Sequence, residues 1–261
     1  MRIFDTHAHY DDEKFAEDRA DVLYALHHAG VECIIDPGCD MQSSYTAQSL
    51  AADFDFVYFA AGIHPEELDA IPEDYLAQLT SLAGDSKCVA IGEIGLDYYW
   101  DSSRKELQKQ IFREQLELAR ELGKPVIIHD REAHGDSFEI VNSFWKEKNP
   151  AGSPGVFHCY SGSAEMAEEL LKRGWYLGFD GPVTYKNARK TLEVLEITPP
   201  DRILIETDSP YLSPVPMRGK RNDSGNLVYV IQKIAEIKGL TPEETAELTF
   251  ENAKRLFFRS L

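Results

Sequence analysis

Short apolar or β-branched runs alternate along the chain with longer segments in which apolar residues recur at helical spacing. The strand-like runs cover residues 2–6, 31–36, 57–62, 88–93, 125–129, 155–158, 175–179 and 202–207. The clearest helical stretch is 104–122, where Leu107, Ile111, Phe112, Leu116, Leu118, Ala119 and Leu122 mark one face. Gly123 stops that helix and Pro125 opens the next strand. Ser163 before Ala164-Glu165-Met166 reads as a helix start. So does Thr241-Pro242-Glu243-Glu244, with a capping hydroxyl, proline at the first helical position and acids in the first turn. Helices at 226–239 and 242–257 follow the last strand.

Eight strands alternating with helices predict an α/β fold with a parallel sheet, and eight is the number that closes a (β/α)8 TIM-type barrel. An open doubly wound sheet is the rival. That rival usually carries a glycine-rich phosphate loop after its first strand, where this chain has His7-Ala8-His9-Tyr10. No linker, repeat or low-complexity tract interrupts the pattern, so one domain over 1–261 is expected.

In such barrels the chemistry sits at the C-terminal ends of the strands. Strand one ends in His7 and His9, which share a face if the strand stays extended. Strand three ends in His64, strand four in Glu93, strand five in His129, strand six in His158 and strand eight in Asp208. Even four of these histidines with the two carboxylates exceed one tetrahedral site and suit two divalent ions sharing a carboxylate, the arrangement used in hydrolysis. Glu93, flanked by Gly92 and Gly95, is the natural bridge.

The motifs Asp5-Thr6-His7-Ala8-His9, Gly62-Ile63-His64-Pro65, Gly92-Glu93-Ile94-Gly95-Leu96-Asp97-Tyr98-Tyr99, Lys124-Pro125-Val126-Ile127-Ile128-His129, Phe157-His158-Cys159-Tyr160-Ser161-Gly162 and Glu206-Thr207-Asp208-Ser209-Pro210-Tyr211-Leu212 together resemble the TatD family of metal-dependent hydrolases. They occur in order across nearly the whole chain. The resemblance implies that His7 and His9, helped by Asp208, hold one metal, that His129 and His158 hold the other, and that Glu93 bridges them. It puts His64 near a substrate phosphate. Asp208, Glu93 and His64 are then the expected catalytic groups, with Asp208 orienting a water and taking its proton. The implied cofactors are two divalent ions (Zn2+, Mg2+ or Mn2+), and the implied reaction is attack of a metal-activated water on phosphorus. DNA or another phosphodiester is the expected partner, with exonuclease-type deoxyribonuclease activity.

Arg131, two residues beyond His129, and Arg218, Lys220 and Arg221 in the loop after strand eight are expected to contact substrate phosphates. Tyr98, Tyr99, Trp100 and Tyr211 could stack on bases. Family members often carry His before the Arg-Gly-Lys-Arg-Asn run and Glu-Pro after it, whereas Met217, Asp223 and Ser224 stand here. Substrate handling need not follow the nuclease members closely.

Composition adjusts this reading without overturning it. A formal net charge of −18 argues against a whole surface built to grip nucleic acid, but not against a small cation-loaded pocket. Cys33, Cys39, Cys88 and Cys159 are scattered without framework spacing, as in a reduced compartment, and Cys159 is expected to face away from His158. No apolar run is long enough to span a membrane and no basic-then-apolar leader precedes the first strand, so a cytoplasmic protein without an obligate protein partner is expected. The alternatives are a barrel hydrolase acting on a C–N or ester bond of a small metabolite, and a binding module on an old enzyme scaffold. The second would predict lost ligands, and none of those expected is missing.

Overall fold

The computed structural model describes residues 1–100, 102–146 and 154–258. Its strands are β1 (Ile3–Asp5), β2 (Val31–Pro37), β3 (Val57–Ala61), β4 (Cys88–Asp97), β5 (Val126–Arg131), β6 (Gly155–Phe157), β7 (Tyr176–Phe179) and β8 (Ile203–Ile205). The helices between and after them are α1 (Arg19–His28), α2 (Met41–Asp53), α3 (Tyr75–Ala83), α4 (Lys105–Leu122), α5 (His134–Phe144), α6 (Ala164–Lys172), α7 (Arg189–Ile197), α8 (Leu227–Lys238) and α9 (Pro242–Phe257). All pairings are parallel and follow chain order from β1 to β8. The ring closes where the Thr6 amide donates to the Ile205 carbonyl at 3.2 Å and Ala8 bridges Ser209. The fold is therefore the expected barrel.

Strand alternation divides the buried residues into two layers. Outward positions such as Ile34, Phe59, Ile91 and Ile128 pack beneath the helices. Inward positions Phe4, Ile35, Ala60, Ala90, Ile127, Val156, Tyr176 and Leu204 fill the barrel. Phe250, Ala253, Leu256 and Phe257 of α9 close its N-terminal end against them, with the rings of Phe4 and Phe250 5.9 Å apart.

Helix ends follow local chemistry. Ser163 accepts the Met166 amide at the start of α6, and Thr241 with Glu244 forms a reciprocal capping box on α9. Gly123, at φ 66°, ends α4 in the left-handed conformation that suits glycine. Two expectations need correction. β1 stops at Asp5, so His7 and His9 lie just beyond it, on either side of the Ala8 bridge, rather than in a continuous strand. β4 runs on to Asp97, so Glu93 sits inside the strand and not at its end.

Candidate active site

Two residues beyond the apolar layer, the same inward positions become polar: Phe4 gives way to Thr6, Ile127 to His129, Val156 to His158 and Leu204 to Glu206. β4 reaches this level through an irregular register against β5 between Ile91 and Ile94. Gly92 makes that possible, because a Cβ there would lie 2.7 Å from Ile127 Cβ. At Gly95, φ is 152° and a Cβ would meet the His129 carbonyl oxygen. The two glycines let Glu93 project into the mouth. On the opposite side, the buried Asp5 carboxylate accepts the His7 and Thr207 amides and the Thr207 and Ser224 hydroxyls, fastening the end of β1 to the segment after β8. Asp208 follows at φ 54°, a conformation uncommon outside glycine and tolerated by Asp. Its amide donates to the His7 carbonyl at 2.9 Å.

These local features bring His7, His9, His64, Glu93, His129, His158 and Asp208 into one cluster. Glu93 Oε1 lies 2.9 Å from His129 Nδ1, 3.3 Å from His158 Nε2 and 3.6 Å from His64 Nε2. Glu93 Oε2 lies 3.2 Å from His7 Nε2 and 3.8 Å from His9 Nε2. Asp208 Oδ1 stands 3.5 Å from His9 Nε2 and 3.7 Å from His7 Nε2. His7 Nε2 and His9 Nε2 are only 3.1 Å apart, so two ring nitrogens face each other and need a proton or a cation between them.

The charges fit that need. Burial disfavours the Glu93 carboxylate, but His7, His158 and His64 outweigh it and hold Glu93 well below the usual carboxylate range. Burial likewise opposes Asp208, which its contact with His9 keeps ionised. Burial works against charge on His129, yet Asp97 and Glu93 lift it to about 9. His158 rises well above its ordinary value against the same burial, through Glu93 and Glu206. Burial and the neighbouring His129 push His64 down, and its Nδ1 accepts the Glu66 amide at 3.2 Å. With Nδ1 accepting, a neutral His64 carries its proton on Nε2, which lies 3.6 Å from Glu93 Oε1 at the mouth.

Several residues that sequence reasoning passed over also reach this region. Asp97 accepts from His129 Nε2 at 2.9 Å, and Glu206 lies 3.2 Å from His158 Nδ1. Cys39 shares a possible ligand group with His9 and Glu93. Asp36, near the end of β2, and Asp180, just after β7, are both buried, and both Asp36 oxygens and Asp180 Oδ2 lack a hydrogen-bond partner. The strand-end rule extended to all eight strands would have found these two. The expectation that Cys159 faces away also fails. Its φ of 41° breaks the strand, and its thiol stands among Asp180, Asp208 and Glu206.

The expected substrate contacts divide. Arg131 stands exposed at the end of β5 with its guanidinium 4.0 Å from the Tyr99 ring and 5.4 Å from the Trp100 ring. Arg218 stacks at 4.2 Å on Tyr185, and with Lys220 and Lys14 it lines an open groove beside Tyr211. Arg221 borders the same groove but pairs with Asp18 at 2.6 Å and covers Phe15, so it is committed to holding the loop. Tyr98 is turned toward α5, donating to Asp136 at 2.7 Å.

The model of the family described as TatD related DNase matches residues 4–258. The chain belongs to the TatD family. It is 46% identical over 255 residues to YabD of Bacillus subtilis, a metal-dependent hydrolase whose name marks it as uncharacterized, with 98% of each chain covered. It is 33% identical over 265 residues to the 3'-5' ssDNA/RNA exonuclease TatD of Cronobacter sakazakii, covering 99% of this chain and 98% of that one. Among solved structures, the TatD homologue YJJV of Escherichia coli superposes with a TM-score of 0.91 at 31% identity over 98% of both chains. An organophosphorus hydrolase from Deinococcus radiodurans, at 16% identity and a TM-score of 0.65, shares the fold alone. The protein is thus a TatD-family metal-dependent hydrolase, and its imidazole and carboxylate donors fit divalent cations. Among the described residues no helix is long and apolar enough to cross a membrane.

Proposed function

We propose that this TatD-family hydrolase is a phosphodiesterase, an exonuclease-type deoxyribonuclease working on single-stranded ends with two divalent ions. The observation that carries the reading is the division of Glu93, whose Oε1 faces His129 and His158 while Oε2 faces His7 and His9. A carboxylate presenting one oxygen to each of two imidazole sets is what a bridging ligand requires. His7, His9 and Asp208 would hold one ion, and His129 and His158 the other. When bound, the ions supply Lewis acidity and a water of lowered pKa.

This chain's own groups supply the rest. Asp208, ionised and still partly open to the mouth, is placed to accept the proton of an attacking water. Neutral His64 can donate from Nε2 to a phosphoryl oxygen as charge develops there. Arg131 with the exposed Tyr99 and Trp100 on one side, and Lys14, Arg218 and Lys220 with the half-buried Tyr185 and exposed Tyr211 on the other, combine cations with aromatic rings. That pairing suits a strand whose backbone is anionic and whose bases stack. It also offsets, at the mouth alone, a chain with a net charge of −18.

The test is metal add-back. Protein stripped of metal receives magnesium, manganese or zinc and is incubated with a short end-labelled single-stranded DNA, beside Glu93→Ala and Asp208→Ala. A metal-dependent ladder absent from both variants is expected. Intact DNA under every metal, with two ions bound per chain, would replace this reading with hydrolysis of a small ester or amide.

A further inference from the structure

Glu206 lies at the level of the cluster and touches no substrate-facing space, being fully buried. It follows β8, whereas His158 follows β6, so β7 stands between them. Residue 178 of β7 is glycine, and the reason is steric. A Cβ at Gly178 would lie 2.5 Å from both carboxylate oxygens of Glu206. The Glu206 side chain occupies the space that a β7 side chain would fill, and crosses that strand to reach His158.

Its two oxygens are fully engaged there. Oε1 accepts the Cys159 amide at 2.5 Å and stands 3.2 Å from His158 Nδ1, while Oε2 accepts the Thr6 hydroxyl at 3.3 Å. As a carboxylate facing the ring edge, Glu206 draws the His158 proton onto Nδ1 and leaves the Nε2 lone pair directed at Glu93, 3.3 Å away. His129 is held by the opposite pattern. Asp97 takes its Nε2 proton and Nδ1 faces Glu93 at 2.9 Å. The two histidines on one side of Glu93 thus present different ring nitrogens, each chosen by its own buried carboxylate.

We propose that Glu206 is a positioning residue that fixes the tautomer and orientation of His158, and that Gly178 is the space reserved for it. The inference rests on the two-ion reading given above. Among the described residues Glu206 makes no hydrogen bond to His129, Asp97, His7, His9 or Asp208, so the ion held through His158 should weaken more than the other. Outer carboxylates of this kind change metal affinity by roughly 10–100-fold.

Glu206→Gln and Gly178→Ala, with wild type, are loaded with zinc and assayed three ways. Bound zinc is counted per chain, affinity is read by chelator competition, and the protonation site of His158 is read from the nitrogen shifts of histidine-labelled protein. Wild type should bind two ions and show His158 protonated at Nδ1. Gly178→Ala, which alters no polar group, should retain one ion, bind the second about 10–100-fold more weakly, and lose the single Nδ1–H signature. Glu206→Gln keeps an acceptor and should fall between the two. Folded Gly178→Ala and Glu206→Gln proteins with two ions of wild-type affinity and an unchanged His158 signature would overturn the proposal. A wild type that binds no ion would overturn it together with the two-ion reading. A wild type that binds two ions yet cleaves no phosphodiester would remove the proposed function and leave Glu206 its role.

Discussion

The two halves of the barrel interior are built from the same strands in the same period, and they do opposite things. In the N-terminal half, Phe4, Ile127, Val156, Tyr176 and Leu204 meet the aromatic face of α9 and exclude water. Two residues further on, the same strands supply Thr6, His129, His158 and Glu206, and the glycines at 92, 95 and 178 surrender their own packing so that acids can enter. The lower half is almost wholly apolar, with the Tyr176 hydroxyl its one buried polar atom without a partner among the described residues. The upper half holds buried carboxylates and imidazoles whose nitrogens face one another, including His7 Nδ1, Asp36 and Asp180 atoms without any hydrogen-bond partner. Stability is concentrated below and unmet electrostatic demand above, which is how a scaffold keeps a cation site ready while staying folded.

Substitutions should separate these roles. Replacing Asp208 by Asn in the mouth should lower phosphodiester hydrolysis by about 10²–10⁴-fold, the usual value of a positioned proton acceptor, with little change in the metal-free melting temperature. Replacing Phe4 by Ala at the bottom should cost about 3–5 kcal/mol of stability, measured by denaturant unfolding, while the metal count is unchanged. Loss of metal in Phe4→Ala that remains folded would break the comparison.

The pH dependence of the metal-free protein sharpens it. His129 sits at about 9 in the folded protein, above its unfolded value of about 6.5, so folding takes up a proton there. Its stabilising contribution is complete below pH of about 6.5 and is lost as pH rises through about 9. Asp5, raised by burial to about 7, acts with the same sign between about 4 and 7. Thermal melts of metal-free protein should therefore fall as pH rises from about 6 to about 9.5. Phe4→Ala should lower that curve without changing its slope, and Glu93→Gln, which removes an anion facing His129, should flatten it. The smallest effect expected is at the rim. Arg131→Ala should raise KM for single-stranded DNA several-fold, with a weaker dependence on salt and no change in stability.

Much of this was legible in the chain. Alternation, together with Gly and Pro punctuation, gave eight strands in order, most of them close to their observed bounds, because a barrel's connections are local. The histidines were legible because a polar residue ending an apolar strand has no packing reason to be there. Glu93 was legible as a member of the cluster but not as a residue inside a strand, since Gly92 and Gly95 look like a turn until the bulge against β5 is known. Cys159 was misread because its positive φ breaks the alternation on which the inference rested. Glu206 and Gly178 were invisible in their roles, because a carboxylate that crosses one strand to reach a histidine 48 residues away leaves no spacing to read.

The central claim is that Glu93 joins two divalent ions. Electron paramagnetic resonance of manganese-loaded protein tests it most directly, because two ions sharing a carboxylate are exchange-coupled and separated ions are not. The account predicts two manganese ions per chain with a coupled spectrum in wild type, and loss of the coupling in Glu93→Ala. A single uncoupled ion per chain, the same in wild type and variant, would contradict it.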